Sequence, residues 1–79
     1  MTVLHLIRPE SGPWDGNIAA RQARQGDQVV VLRWRDGTDE RVACEVIASH
    51  GVQQSTPGTT VSYRQLLDLL FNSDQVYYW

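Results

Sequence analysis

The chain has 79 residues, 42% hydrophobic and 20% charged, which suits one small α/β domain spanning 1–79 and places it outside the disordered range. Nine acidic against seven basic residues leave a net charge of −2, so no basic field is available to displace counterions, and nucleic-acid partners are not expected. The single cysteine, Cys44, excludes an internal disulfide; no apolar run approaches the roughly 20 residues of a bilayer span and no charged leader with an apolar core opens the chain, so no membrane partner is expected and the cytoplasm is the expected compartment.

Thr2 to Ile7 is short and apolar on both faces, with Val3, His5 and Ile7 on one and Thr2, Leu4 and Leu6 on the other. This is the pattern of an interior strand. Arg8 to Pro13 breaks it, and the spacing predicts a helix over Gly16 to Gln25, with Asp15 as a candidate N-cap and Gly26 as its stop. The inward residues of that helix, Ile18, Ala19, Ala20 and Ala23, are small, and Trp14 is placed to supply the missing bulk. Gln28 to Trp34, with Val29, Val30, Val31 and Leu32 unbroken, predicts the central strand. A strand, helix and strand joined by short loops form a right-handed parallel unit, so the first two strands should be parallel neighbours.

Thr38 to His50 admits two readings. Arg35-Asp36-Gly37 after a strand suits a hairpin turn, after which Val42, Cys44, Val46 and Ala48 alternate as one strand face. Alternatively, Thr38 caps a helix, Asp39 and Glu40 occupy its first turn, Val42, Ala43, Val46 and Ile47 are buried, and Gly51 ends it. The hairpin is favoured because Val, Cys and Ile prefer extended structure. Gly51 to Thr60 is a polar connection without apolar periodicity and is expected to move most.

Ser62 with Gln65 three positions later has the form of a capping box, and Val61 can pack on Leu66 as its staple. Leu66, Leu67, Leu69, Leu70 and Phe71 form the apolar face of a helix near 63–72, Asn72-Ser73-Asp74 punctuates, and Gln75 to Trp79 reads as an aromatic strand. The expected architecture is a two-layer α/β sandwich of about four strands, mostly parallel, in the order β-α-β-β-α-β, with a helix at 38–50 as the alternative middle. That order invites comparison with RNA-recognition domains and metal chaperones. Neither the first strand nor Val42 to Ile47 supplies the base-stacking aromatics of the former, and the paired cysteines of the latter are missing.

Three segments carry a family resemblance: Val3-Leu4-His5-Leu6-Ile7-Arg8-Pro9, Gln25-Gly26-Asp27-Gln28-Val29-Val30-Val31-Leu32, and Val61-Ser62-Tyr63 with Leu66-Leu67-Asp68-Leu69 and Trp79. Together they resemble the DsrH/TusB branch of the DsrE/F/H sulfur-relay proteins, with its Leu-His opening strand, Gly-Asp turn before an apolar strand, and closing strand, helix and terminal tryptophan. Members of that family are generally longer, with another helix and strand in the middle of the chain, so a trimmed or rearranged sheet is implied. The resemblance implies a cytoplasmic subunit that acts by assembly with partner proteins, in a relay whose chemistry runs through a cysteine persulfide usually carried by another subunit. Cys44 matches no cysteine position of the family clearly.

Cys44 is the one candidate catalytic residue, as a persulfide-carrying nucleophile. That role needs an exposed thiol that ionises near neutral pH, whereas on the hairpin reading Cys44 lies among Val42 and Val46 as an unreactive core thiol. His5 reads as a packed histidine with one hydrogen bond, and His50 as a solvated element end. Two histidines and one cysteine have no ligand spacing, so neither metal nor cofactor is expected. Arg33-Trp34-Arg35 could, with Arg8, hold an anion or an acidic partner at the strand rim; arginine stacked on an exposed indole is the plainer reading. Tyr77, Tyr78 and Trp79 are the main candidates for partner binding or self-association, with Val76 and Tyr78 on one face and Tyr77 and Trp79 on the other. The functional expectations are therefore a non-catalytic or marginal sulfur-relay subunit, a free-standing interaction or regulatory module without sulfur chemistry, or a persulfide transferase working through Cys44.

Overall fold

The structure is a computed structural model that describes residues 1–11, 14, 16–35, 42–51 and 56–79. In chain order it contains β1 (Thr2–Ile7), a 3-10 turn (Pro9–Ser11), α1 (Asn17–Arg24), β2 (Gln28–Trp34), β3 (Cys44–His50), β4 (Thr60–Val61), α2 (Tyr63–Asn72) and β5 (Gln75–Tyr78). The strands form one sheet in the order β4-β3-β2-β1-β5. β1 is parallel to β2 and to β5, and β3 is antiparallel to β2 and to β4. β4 therefore runs with β1, β2 and β5, and β3 alone is reversed.

The α/β sandwich with parallel first strands is as expected, and β2 occupies the middle of the sheet. β3 is extended and paired with β2, so its residues take the hairpin reading and not the helical one. The Asp36-Gly37 turn, residues 38–41 and 52–55, and the Asp15 cap lie outside the described residues. Two expectations need correction. The sheet has five strands, because Thr60 and Val61 pair with Glu45 and Cys44 as a two-residue strand too short to show periodicity. The sandwich also has three layers, not two. α1 leaves β1 towards β2, whereas α2 leaves β4 and crosses the sheet to β5. Crossovers of one hand that run in opposite directions place their helices on opposite faces.

The two cores show this division. Leu4, Leu6, Val30, Leu32, Cys44, Val46 and Val61 pack under Leu66, Leu69 and Leu70 of α2, with Trp34 against them. Val3, Ile7, Val29 and Val31 pack under Ala19 of α1, and Trp14 with Ala48 fills the space that the small helix leaves. Strand alternation sends odd and even residues of β1 and β2 to opposite helices. Ala48 does not share a face with Cys44 and Val46, as alternation alone predicts. The register steps from Val31 opposite Ala48 to Leu32 opposite Val46, so Ile47 is an extra residue that turns the strand over.

Local signals place the helices. The Ser62 hydroxyl accepts from the Gln65 backbone N–H at 3.2 Å while the Gln65 side chain accepts from the Ser62 backbone N–H at 2.9 Å, which closes the capping box. α1 ends where Gly26 takes φ +93°, with Gly26 N–H bonded to Ala23 O and Asp27 N–H to Gln22 O. These are the paired bonds of a Schellman stop. At the far edge, Asp74 anchors the start of β5: its backbone N–H donates to Thr2 O at 2.8 Å, and its carboxylate accepts from Thr2 N–H at 2.8 Å.

Candidate functional site

β1 is the strand from which the chain winds in two directions, with β2 on one side and β5 on the other. In open α/β sheets the carboxyl end of such a strand is where binding groups gather. Here that end carries Arg8, and the residue after β5, Trp79, sits beside it. The Trp79 backbone N–H donates to Leu6 O at 2.8 Å, and its carbonyl accepts from the Arg8 backbone N–H at 2.9 Å and from Arg8 Nε at 3.1 Å. The Arg8 guanidinium also lies over the Tyr78 ring, 5.5 Å from its centroid. At an exposed site such as this one, a cation over an aromatic face contributes about 0.5 to 1 kcal/mol.

Behind this rim, on the α1 face, His5 is 0% exposed. The Trp79 indole Nε1 donates to His5 Nδ1 at 3.0 Å, and His5 Nε2 lies 2.7 Å from the Gln22 side-chain oxygen. An indole N–H can only donate, so Nδ1 carries no proton and Nε2 donates to Gln22. The neutral ring is thus satisfied on both nitrogens, which removes the cost of burying it. Tyr77 stacks on it at 5.1 Å and 15°, Trp79 at 6.2 Å and 22°, and Trp14 meets it tilted at 5.8 Å. With both nitrogens engaged and no surface exposed, His5 is a structural hub holding β1, α1 and the end of β5 together, not a general base. Sequence reasoning gave His5 one hydrogen bond and missed Gln22; a polar residue facing inward among the alanines of α1 was the available signal.

Cys44 is also 0% exposed, and burial pushes its thiol up from 9.0 to about 11. It sits within the α2-side core. That is opposite to the exposed, readily ionised thiol that persulfide carriage requires. Arg33, Trp34 and Arg35 do not converge. Trp34 turns to the α2-side core, Arg33 to the other face, and Arg35 forms an ion pair with Glu45 one step along β3. His50 is exposed at the end of β3. Among the described residues no group of three or more His, Cys, Asp and Glu is arranged to hold a metal ion, and no helix is long and apolar enough to cross a membrane.

A cavity of about 220 Å³ lies between α2 and the β3–β4 edge, lined by Val46, Val61, Gln65, Asp68, Leu69 and neighbours. Its amides are already used: Gln65 caps α2, and the Asn72 side chain donates to the Asp68 carbonyl at 2.8 Å. The more distinctive surface is on the other side of the molecule. All four residues of β5 are exposed, and among the described residues no strand pairs with its outer edge.

A scan against protein-family models, a search of curated proteins and a search of solved structures find no match to this chain.

Proposed function

We propose that this chain is a non-catalytic assembly subunit that joins other protein chains through the aromatic β5 edge. The observation that carries the reading is that edge: Val76, Tyr77 and Tyr78 expose apolar and aromatic side chains beside an unpaired backbone, while Trp79 and Arg8 hold the strand rigidly in place. Open sheet edges are usually blunted by charge, proline or bulges, and Gln75-Val76-Tyr77-Tyr78 has none of these. Aromatic residues on a preorganised strand cost little entropy to bind. The buried, weakly acidic Cys44 supports a role without thiol chemistry.

The DsrH/TusB resemblance supplies the setting for this reading, a sulfur relay in which this subunit assembles with partners that carry the persulfide. The second reading, a free-standing interaction module with no sulfur chemistry, is favoured by Cys44 itself, because the chain offers no reactive thiol to a relay.

The test is the size of the native particle in an extract of cells that make the protein. Assembly predicts a complex heavier than the 9.0 kDa chain, reduced to the free chain by Val76→Pro. A free chain in the extract refutes the proposal. The bound proteins separate the two readings: a partner with an exposed cysteine that takes up persulfide supports the relay, and partners without one support the module.

A further inference from the structure

We infer that the β5 edge pairs with the β5 edge of a second copy of this chain, antiparallel about a two-fold axis through Tyr77, giving a continuous ten-stranded sheet. The inference rests on the assembly reading above and names the partner.

The backbone sets the register. Trp79 bonds to β1 through both its N–H and its carbonyl. Because ladder bonds alternate with period two, Tyr77 also faces β1, and the outward-facing donors and acceptors are those of Val76 and Tyr78. Antiparallel pairing centred on Tyr77 sets Val76 opposite Tyr78 of the second copy and Tyr78 opposite its Val76. Each pair exchanges two hydrogen bonds, so all four outward groups on each strand are satisfied. The cross-strand neighbours are then a β-branched residue beside an aromatic one, twice, which is a favourable pairing.

The side chains supply the area. Leu4 and Leu6 are the register partners of Val76 and Tyr78, so the latter two lie on the α2 face of the sheet. Gln65, Asp68 and Leu69 line the cavity on the β3–β4 side of α2. Tyr63, Leu67 and Phe71, spaced four residues apart, occupy the opposite flank of α2, away from β3 and β4. Tyr63 is 44% exposed, Leu67 53%, Phe71 85%, Val76 45% and Tyr78 61%, and none of the five is charged. With side-chain areas of roughly 150 to 200 Å² each, these exposures leave about 500 Å² of uncovered surface per copy. Two such patches hide about 1,000 Å², the lower bound for a specific interface, before the Tyr77 face is added.

Two-fold pairing also closes. A foreign strand would satisfy one edge, whereas two copies satisfy each other at β5 and bring both α2 flanks over one shared strip of Val76 and Tyr78. For a chain this small the added core is a substantial gain in burial.

Sedimentation of the purified chain over a wide range of concentration tests this. The expected result is a particle of twice 9.0 kDa that dissociates on dilution. Val76→Pro removes an outward N–H without touching a bond to β1 and should give a monomer with an unchanged circular dichroism spectrum. Phe71→Lys leaves the backbone alone and should weaken the dimer at least tenfold. Under oxidation Tyr77→Cys should cross-link to itself, whereas Val76→Cys and Tyr78→Cys should cross-link only when mixed. A wild-type monomer at every concentration overturns the inference, as does a dimer indifferent to Val76→Pro and Phe71→Lys. A purified monomer that still enters a heavier complex in extract, lost with Val76→Pro, overturns self-pairing alone; a free chain in both settings overturns the assembly reading as well.

Discussion

Trp79 donates its indole hydrogen to Nδ1 of His5 over 3.0 Å, joining two residues 74 positions apart in the chain. The contact fixes the imidazole as the tautomer that donates to Gln22, and it ties the end of β5 to the middle of β1 and the inward side of α1. One buried ring therefore decides how rigidly the aromatic edge is presented. An edge strand with four residues would otherwise depend on its ladder bonds to β1, the Asp74 carboxylate at its start and Arg8 at its end.

Replacing Trp79 by Phe keeps a ring against His5 and removes the donor. The buried Nδ1 is then left without its partner, a loss of about 1 to 2 kcal/mol given that Trp79 is partly exposed and water can reach it. Urea unfolding should show a lower midpoint with an unchanged slope, and ring ¹⁵N spectra of the wild type should show Nδ1 as the unprotonated nitrogen. An unchanged midpoint would mean that the bond contributes nothing to the fold.

The capping box at α2 is a second contribution that can be isolated. Ser62→Ala deletes the acceptor for the Gln65 N–H and should cost about 1 kcal/mol, and Ser62→Asp should recover most of it, because aspartate caps as well as serine. Thermal melts of the three proteins check the order. Equal melting of the alanine and wild-type chains would show that the reciprocal bond from Ser62 N–H to Gln65 suffices alone.

Ile47 is the extra residue in β3, so its deletion should be tolerated far better than deletion of Val30 from the regularly paired β2. Without Ile47, Val46 and Ala48 become neighbours and keep opposite faces, Val46 opposite Leu32 and Ala48 opposite Val31, whereas loss of Val30 would turn every residue on one side of the gap towards the wrong helix. Deletion of Val30 should cost several kcal/mol, about what a buried register error does, whereas deletion of the exposed Ile47 should cost about 1 kcal/mol or less. Denaturant melts of the two variants would show this; similar stability in both would mean that the sheet tolerates either register.

The bulge also marks where the sequence stops being legible. Val29 to Leu32, Val3 to Ile7 and the Ser62 to Gln65 box declare their elements because their periodicity or capping chemistry is local. So does the division of Tyr77 and Trp79 from Val76 and Tyr78. Val42, Cys44, Val46 and Ala48 look like one face because an inserted residue leaves no mark on alternation. β4 is too short to have a pattern. The His5 hub was only half visible, since His5 and Trp79 come together through the parallel pairing of β1 with β5 and Gln22 enters through the rotation of α1. These are consequences of tertiary packing, and no single window of the sequence contains them.

Cys44 gives the last prediction. Its thiol is raised from 9.0 in the unfolded chain to about 11 in the fold, through desolvation. Below pH 9 both states keep the proton and the shift has no effect on stability. Between 9 and 11 the unfolded chain releases it and the folded chain retains it, so the folded state binds more protons and stability falls as pH rises, by about 2 to 3 kcal/mol in total. Above 11 both states are ionised and the loss levels off. Tyrosine ionisation contributes equally to a Cys44→Ala chain, so the difference between the two proteins isolates the thiol. Cys44→Ala should be slightly less stable at neutral pH and should lose less stability over this window. At neutral pH the native thiol should resist an alkylating probe until the chain unfolds. Parallel stability curves from pH 8 to 11, or labelling as fast in the native as in the unfolded protein, would show that Cys44 meets solvent, and persulfide chemistry at this chain would again need to be considered.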